Sequence, residues 1–231
     1  MNAGTRTVRI AGPAGAIDVA LDLPSAAPVG AAVVAHPHPL FGGTRDNKVV
    51  QTLARALLAL GYVTWRPNFR GAGDSAGSYD EGRGETEDML AVVEHALAQA
   101  RSIGVAQPRL VLAGFSFGSF VQSRVAARLR ELGRPANRLV LVGTAVSRFD
   151  VEPVPPDTLV VHGEIDDTVP LQGVFDWARR QDLPVVVLPG ADHFFHRKLT
   201  LLKRIVLDAF GAPSGSDGGA TADRAAHGGR P

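Results

Sequence analysis

The sequence predicts an α/β fold, in which a mostly parallel sheet carries helices on both of its faces. Short apolar runs rich in Val, Ala and Leu alternate along the chain with longer amphipathic stretches. The later runs lack the period-2 alternation of a half-exposed strand, so they suit strands that are covered on both faces. Such alternation gives parallel strands joined by right-handed crossovers. A length of 231 residues fits one large domain of this class.

Eight strands and five helices are predicted in order along the chain. Residues 7–10 and 17–21 flank a Gly-Pro-Ala-Gly turn, which indicates an opening hairpin. The later strands are predicted at 31–35, 63–67, 110–113, 139–142, 158–161 and 185–188, and the helices at 47–60, 85–100, 117–132, 172–181 and 197–210. We expect residues 1–210 to form one domain and residues 211–231, which are rich in Gly, Ala, Ser and Asp, to be a disordered tail.

Composition and charge exclude several classes of function. Lys and Arg total 24 against 23 Asp and Glu, so the net charge of +1 gives no basic excess for general nucleic-acid binding. The chain has no cysteine, which excludes disulfides, thiolate metal sites and a cysteine nucleophile. No apolar run is long enough to span a bilayer or to act as a signal peptide. We therefore expect a cytoplasmic protein without a membrane span.

A candidate nucleophile follows the predicted strand at 110–113. Gly114-Phe115-Ser116-Phe117-Gly118 reads G-x-S-x-G between a buried strand and a helix, which is the context that gives this motif its meaning. A sharp turn there crowds the backbone and projects the hydroxyl at a helix N-terminus, where the helix dipole favours developing negative charge. A chance Gly/Ser turn is the weaker alternative. The motif predicts Ser116 as a catalytic serine.

A serine nucleophile needs a base and an acid that orients it, and both are expected after late strands. His193 lies in the loop after 185–188, and Asp166 follows 158–161. The order Ser116, Asp166, His193 is that of α/β hydrolases. Asp167 is the main alternative acid, and Glu164 and Asp192 are further rivals. The competing histidines are predicted in other roles: His162 at a strand end, His196 at the start of the last helix, His95 within a helix and His227 in the tail.

The loop after the strand at 31–35 reads His-Pro-His-Pro-Leu-Phe-Gly-Gly-Thr from residue 36 to residue 44. Two histidines spaced two apart suggest a metal site, but no third ligand stands near, so we expect no metal and no cofactor. The better interpretation is an oxyanion-hole loop, with one donor from this loop and the other from the Phe117 N–H. Prolines lack an N–H, which leaves Leu40 or His38 as the loop donor, and we favour Leu40.

One motif resembles a nucleotide-binding fingerprint but is interpreted as a turn. Residues 71–76 read Gly-Ala-Gly-Asp-Ser-Ala and fit the G-x-G-x-x-A fingerprint of dinucleotide sites. The next helical pattern begins only near Gly84, so no helix N-terminus would face a pyrophosphate, and Asp74 would repel it. A structured turn is the better interpretation.

Together these blocks resemble the small bacterial α/β-hydrolase-fold serine hydrolases that carry an HPHPxxGGT loop and a GFSFG elbow. The matching segments are residues 36–50, 68–77, 114–119, 163–170 and 192–194, which span nearly the whole predicted domain. Members of that family are mostly known as predicted hydrolases or carboxylesterases. The resemblance implies an eight-stranded α/β-hydrolase fold and hydrolysis of a small-molecule ester or thioester through an acyl-enzyme.

The substrate is partly indicated by what the chain lacks. Lids in this fold are usually inserted after the sixth strand, where about 15 residues are available here, so we expect no lid. An uncovered site favours short or small acyl groups, and Phe41 and Phe194 are candidate residues of an acyl pocket. A peptidase or acyltransferase of the same fold is the enzymatic alternative. The opposed class is a non-catalytic hydrolase-fold binding protein.

Overall fold

A computed structural model of the chain describes residues 4–211. The predicted tail at 211–231 lies outside the described residues, apart from Gly211, which ends the last helix. The eight strands are β1 (Arg6–Gly12), β2 (Gly15–Asp22), β3 (Gly30–Ala35), β4 (Tyr62–Pro67), β5 (Arg109–Phe115), β6 (Arg138–Val142), β7 (Leu159–Gly163) and β8 (Val185–Leu188). The helices are α1 (Lys48–Ala59), α2 (Arg83–Ser102), α3 (Phe117–Glu131), α4 (Leu171–Arg179) and α5 (Leu199–Gly211).

The strands form one sheet in the order β1-β2-β4-β3-β5-β6-β7-β8. The β1–β2 and β2–β4 pairs are antiparallel, and every other pair is parallel. The predicted eight-stranded, mostly parallel sheet is therefore confirmed. The loops that follow β3, β5, β6, β7 and β8 leave at the same edge of the sheet, because parallel strands share one direction.

Side chains of one strand serve two separate cores. Along β3 all six residues are buried, and Ala31, Val33 and Ala35 pack on the face covered by α2, α3 and α4. Ala32 and Val34 pack on the opposite face, under α1 and α5. Successive strand residues point to opposite faces, so a strand covered on both sides needs an apolar residue at every position. This explains why the later strands are continuous apolar runs.

Two helix starts illustrate how local sequence sets the boundaries. The Asn47 side chain accepts hydrogen bonds from the amides of Val49 and Val50, and so caps α1. Glu85 caps the start of α2 by accepting from the Gly82 amide at 2.9 Å. These caps place both starts within two residues of the predicted ones.

The connection from β6 to β7 decides how the carboxyl edge of the parallel strands is covered. It runs through residues 143–158 and holds turns but no helix. The fold therefore carries no lid at this insertion point, as predicted. Among residues 4–211, no helix is both long and apolar enough to cross a membrane.

Candidate active site

Ser116 stands on a sharp turn between β5 and α3. Its φ of 57° and ψ of −119° lie in a region that side-chain-bearing residues rarely adopt. A Cβ at Gly114 would lie 2.3 Å from the Gly118 carbonyl oxygen, and a Cβ at Gly118 would lie 2.4 Å from that of Ala35. Both glycines are therefore required by close backbone approach. The Ser116 amide donates to the Val142 carbonyl at 2.9 Å, which fixes the turn against β6.

The structure brings the three residues predicted as nucleophile, base and acid into one chain of contacts. His193 Nε2 lies 3.0 Å from the Ser116 Oγ, and His193 Nδ1 lies 2.7 Å from Asp166 Oδ2. Ser116 follows β5, Asp166 follows β7 and His193 follows β8, so the sheet edge assembles parts that are far apart in sequence. All three side chains are largely buried. The arrangement can move a proton from the hydroxyl to the imidazole.

Asp166 is held by its own loop. Its Oδ1 accepts hydrogen bonds from the amides of Thr168 at 3.0 Å and Val169 at 2.7 Å, which leaves Oδ2 for His193. Asp167, the alternative acid, is exposed and does not contact the imidazole. The other candidate acids form hydrogen bonds away from His193: Glu164 accepts from the Gly190 amide, and Asp192 binds His196. The His196 contacts hold the pKa of Asp192 below its usual value.

His162 lies beside this acid. Its Nε2 donates to the Val169 carbonyl at 2.9 Å, and the same nitrogen is 3.4 Å from Asp166 Oδ2. Burial lowers the pKa of His162, although Asp166 acts in the opposite direction. The backbone contact agrees with the structural role expected from the sequence. Its closeness to the acid is an additional feature that hydrophobic patterning does not reveal.

His36 fixes the loop that follows β3. Its ring is fully buried, Nε2 accepts from the Phe69 amide at 2.8 Å, and Nδ1 lies 2.6 Å from the Pro37 carbonyl oxygen. Because Nε2 accepts, the proton is on Nδ1 and is donated to Pro37. Burial lowers the pKa of His36 from 6.5 to about 4, so the ring is neutral at pH 7. Neither nitrogen is free for a metal.

The Pro37–His38 peptide is oriented by that contact. The Pro37 carbonyl points to His36, and in a trans peptide the His38 N–H points the opposite way. Within residues 4–211, no acceptor is found for this N–H. The sequence favours the Leu40 amide as oxyanion donor, but that amide already donates to His38 Nδ1 at 3.3 Å. The hydrogen bonds therefore favour the second alternative, His38.

Aromatic side chains surround the His38 ring. Ring centroids lie 4.6 Å away for Tyr79, 4.7 Å for Phe41, 4.9 Å for Phe117 and 6.1 Å for Phe149. Burial, and to a smaller extent the charge of Arg148, lower the pKa of His38. We call the five rings (His38, Phe41, Tyr79, Phe117 and Phe149) the aromatic shelf. It forms an apolar surface beside the serine turn, and Tyr79 and Phe149 carry no sequence signal that marks them in advance.

The two residues predicted for an acyl pocket lie at the rim of this edge. Phe41 is 74% exposed, and Phe194 is 46% exposed with its ring 5.2 Å from that of His193. His193 packs in turn against Phe115 at 5.0 Å. Phe41 and Phe194 thus stand on opposite loops, after β3 and after β8, and both present apolar surface to solvent.

The segment at 71–76 is a structural loop. Ser75 donates to the Asn68 carbonyl at 2.8 Å and accepts from the Asp18 amide at 3.0 Å, while Asp74 pairs with Arg9 at the surface. The following helix begins at Arg83, so the fingerprint has no helix N-terminus beside it. Across residues 4–211, no group of three or more His, Asp or Glu side chains is placed to hold a metal ion.

Comparison with protein families and curated proteins gives two matches. Residues 16–133 match the family described as X-Pro dipeptidyl-peptidase (S15 family), a segment that includes Ser116 and the loop after β3. An uncharacterized protein of Rickettsia prowazekii (strain Madrid E) is 31% identical over 190 residues, which cover 77% of this chain and 76% of that protein.

Two solved structures are similar over nearly the whole chain. One is an α/β serine hydrolase without a lid from Xanthomonas campestris, with 38% identity, coverage of 90% of this chain and 94% of that one, and a TM-score of 0.81. The other is an α/β serine hydrolase homologue from Coxiella burnetii, with 35% identity, coverage of 90% and 98%, and a TM-score of 0.76. Both similarities support the α/β-hydrolase fold, and the absence of a lid in the Xanthomonas campestris protein agrees with the uncovered β6–β7 connection described above.

Proposed function

This chain belongs to the X-Pro dipeptidyl-peptidase (S15) family of α/β serine hydrolases, and from that premise we propose that it hydrolyses small or short-chain carboxylic esters or thioesters through an acyl-enzyme. The observation that carries the proposal is the continuous contact from Ser116 Oγ through His193 to Asp166, at 3.0 and 2.7 Å. In this proposal Ser116 is the nucleophile, His193 the general base and acid, and Asp166 the group that orients the imidazole.

The proposed acylation and deacylation steps need only the three side chains, the substrate and water. Ser116 Oγ forms a bond to the substrate carbonyl carbon while its proton moves to His193 Nε2. That proton passes to the leaving oxygen or sulfur as its bond to the carbonyl carbon breaks. A water oxygen then attacks the acyl-enzyme and gives a proton to His193, which returns it to Ser116 as the free acid leaves. Asp166 stabilises the cationic imidazolium that forms in both halves.

Two backbone amides are proposed to bind the oxyanion. The Phe117 N–H belongs to the first turn of α3, whose amides have no acceptor within the helix. For the second donor we propose the His38 N–H in place of the favoured Leu40 N–H, because the Leu40 amide is engaged. The hydrogen bond from His36 to the Pro37 carbonyl holds this peptide and polarises it, which strengthens the N–H as a donor.

The uncovered shape of this edge of the sheet supports a substrate with a small acyl group. No helix covers the site from the β6–β7 connection, and Phe41 and Phe194 present exposed apolar surface at the rim. A short acyl chain can pack on such a rim, whereas a long chain would remain largely in water. We therefore propose Phe41 and Phe194 as acyl-contacting residues. The cytoplasmic location expected from the sequence stays a prediction.

Peptide hydrolysis is the second candidate, and the family match favours it. A dipeptidyl-peptidase uses the same triad chemistry, because the acyl-enzyme does not depend on whether the leaving group is an alcohol or an amine. The matched segment ends at residue 133, before the loops that carry Asp166 and His193. It therefore covers the nucleophile and the loop after β3 but not the rim formed after β7 and β8.

The test combines substrates with a nucleophile variant. Hydrolysis of p-nitrophenyl esters from acetyl to palmitoyl is measured for the wild type, Ser116→Ala and the control Ser102→Ala, whose hydroxyl is exposed at the end of α2. We expect short-chain activity that Ser116→Ala loses and Ser102→Ala retains, together with fluorophosphonate labelling at Ser116. Cleavage of Ala-Pro-p-nitroanilide without ester hydrolysis would favour the peptidase. Neither activity nor labelling would favour a binding protein.

A further inference from the structure

Arg148 stands in the β6–β7 connection with an exposed side chain. Its guanidinium carbon lies 5.9 Å from the centre of the Phe41 ring, so the cation is positioned toward the face of an aromatic residue in the loop after β3. Within residues 4–211 Arg148 forms no ion pair, whereas two other arginines in loops at this edge are paired: Arg45 with Asp18 and Arg70 with Asp88.

Contacts made by two neighbours of Arg148 place it near the proposed oxyanion site. The next residue, Phe149, packs on Phe117 with ring centroids 5.1 Å apart, and Phe117 directly follows Ser116. On the other side, Phe41 packs on His38 at 4.7 Å. The charge of Arg148 contributes to the lowered pKa of His38. The electric field of Arg148 therefore acts on the residue whose amide we propose as an oxyanion donor. Arg148 is therefore part of the rim of the aromatic shelf.

We propose that Arg148 binds a carboxylate at the far end of the acyl group, so that the substrate class includes half-esters of dicarboxylic acids. This inference rests on the proposed ester hydrolysis at Ser116. The acyl chain lies on the aromatic shelf with its ester carbonyl at the serine, and its terminal carboxylate meets the guanidinium beside Phe41.

The chemistry of a guanidinium that lies over an aromatic ring suits this role. A cation–π contact with Phe41 uses none of the N–H donors of Arg148, and these donors match the two oxygens of a carboxylate. The cation–π attraction also favours this position of the long side chain, so less conformational entropy is lost when an anion binds. An anionic acyl group without such a partner would repel the oxyanion that develops close to it. Arg148 therefore offsets the specific disadvantage of a negatively charged substrate.

The experiment compares two esters of the same shape. Monomethyl glutarate and its neutral methyl-ketone isostere are hydrolysed by the wild type, Arg148→Gln, Arg148→Lys and Arg101→Gln, with acid release followed by pH-stat. Arg101 is the matched control because it is an exposed arginine near the end of α2, at the opposite edge of the sheet, and its loss changes the net charge equally. The readout is the ratio of kcat/KM for the anionic ester to that for the neutral ester.

We expect Arg148→Gln to lower this ratio about tenfold, the effect typical of one charge-assisted pair. Arg148→Lys should retain part of the ratio, and Arg101→Gln should leave it unchanged. Salt at about 0.5 M should reduce the wild-type ratio toward that of Arg148→Gln, because ions screen an exposed pair. A ratio that Arg148→Gln leaves unchanged, or that Arg101→Gln lowers equally, overturns the inference.

A binding measurement separates this inference from the proposed reaction. Monomethyl glutarate is titrated by calorimetry into Ser116→Ala and into the double variant with Arg148→Gln, neither of which can form an acyl-enzyme at residue 116. Binding about tenfold weaker in the double variant supports the carboxylate subsite even where no ester is hydrolysed, in which case only the proposed reaction fails. Equal binding by the two proteins overturns the subsite, whatever the hydrolysis shows.

Discussion

Acidification should destabilise the fold through His36. Burial lowers the pKa of this histidine from 6.5 to about 4 in the folded protein, and its ring is held neutral between Pro37 and Phe69. As pH falls below 6.5 the unfolded chain binds a proton at this residue while the folded chain does not. The unfolding free energy is therefore unaffected by His36 protonation above about pH 6.5, and it decreases progressively as pH falls from there to about 4.

The size of the effect follows from the two pKa values. One pKa unit is worth about 1.4 kcal/mol, so the interval from 6.5 to about 4 corresponds to about 3 kcal/mol of unfolding free energy. Most of this, about 2 to 3 kcal/mol, is lost by about pH 4.5. Burial also lowers the pKa of His38 and His162, so these residues add to the same trend. A variant is needed to isolate the contribution of His36.

The assay is urea unfolding of the wild type and His36→Asn at about pH 7 and about pH 4.5. Asn keeps a hydrogen-bonding side chain but does not titrate. We expect the wild type to lose about 2 to 3 kcal/mol more than the variant on acidification, although the variant begins from a lower stability because buried groups lose their partners. The imidazole resonances of His36 should also show a neutral ring down to about pH 5.

An equal loss in the two proteins would refute this reasoning, because the pH dependence would then come from other groups. A wild-type imidazole that titrates near its ordinary pKa would refute it independently of any effect of the substitution on packing.

Three further predictions concern the site and its support. Asp166→Asn should lower kcat about 10⁴-fold in steady-state ester assays while leaving the unfolding transition in place, because His193 loses the partner that sets its tautomer. His38→Pro removes the proposed donor N–H at a φ of −55° that proline adopts, so kcat should fall about 10²- to 10³-fold. His38→Ala keeps the N–H and loses a ring of the aromatic shelf, so its kcat should fall much less than that of His38→Pro. In calorimetric melts, Gly118→Ala should be strongly destabilised, because the new Cβ would lie 2.4 Å from a backbone carbonyl oxygen. Gly173 lies within α4, and a Cβ there would meet only a methyl group at 3.6 Å, so Gly173→Ala should be slightly stabilised.

The fold was largely predictable because most buried strands are continuous apolar runs, although β4 also buries Thr64 and Arg66. The predicted ends fail where a strand continues past its apolar run through a histidine or a glycine. β7 extends through His162 and Gly163, two residues beyond the apolar run, and β5 extends to Phe115. Strand pairing decides these ends, since Gly163 pairs with Leu188 of β8. Hydrophobicity along the chain carries no information about that neighbour.

The parts of the candidate site that depend on strand order were predictable from the sequence. The parts that depend on individual hydrogen bonds were less so. Ser116, Asp166 and His193 each follow a strand, so topology alone brings them to one edge. The choice between Leu40 and His38 depends on which amide a short 3-10 turn leaves free. The role of His36 depends on a contact with Phe69, which is 33 residues away in the chain.

The spread of the site over β5, β7 and β8 has a consequence for biosynthesis. His193 lies 77 positions after Ser116, so a chain emerging from the ribosome displays the proposed nucleophile well before its proposed base is made. Domains generally fold as units, and the segment that carries Ser116 and the loop after β3 is made before the strands that complete the sheet. A nascent chain or a fragment lacking β8 therefore holds a serine with no proton acceptor. If the proposed triad is correct, hydrolysis becomes possible only after β8 and the loop that carries His193 have been made.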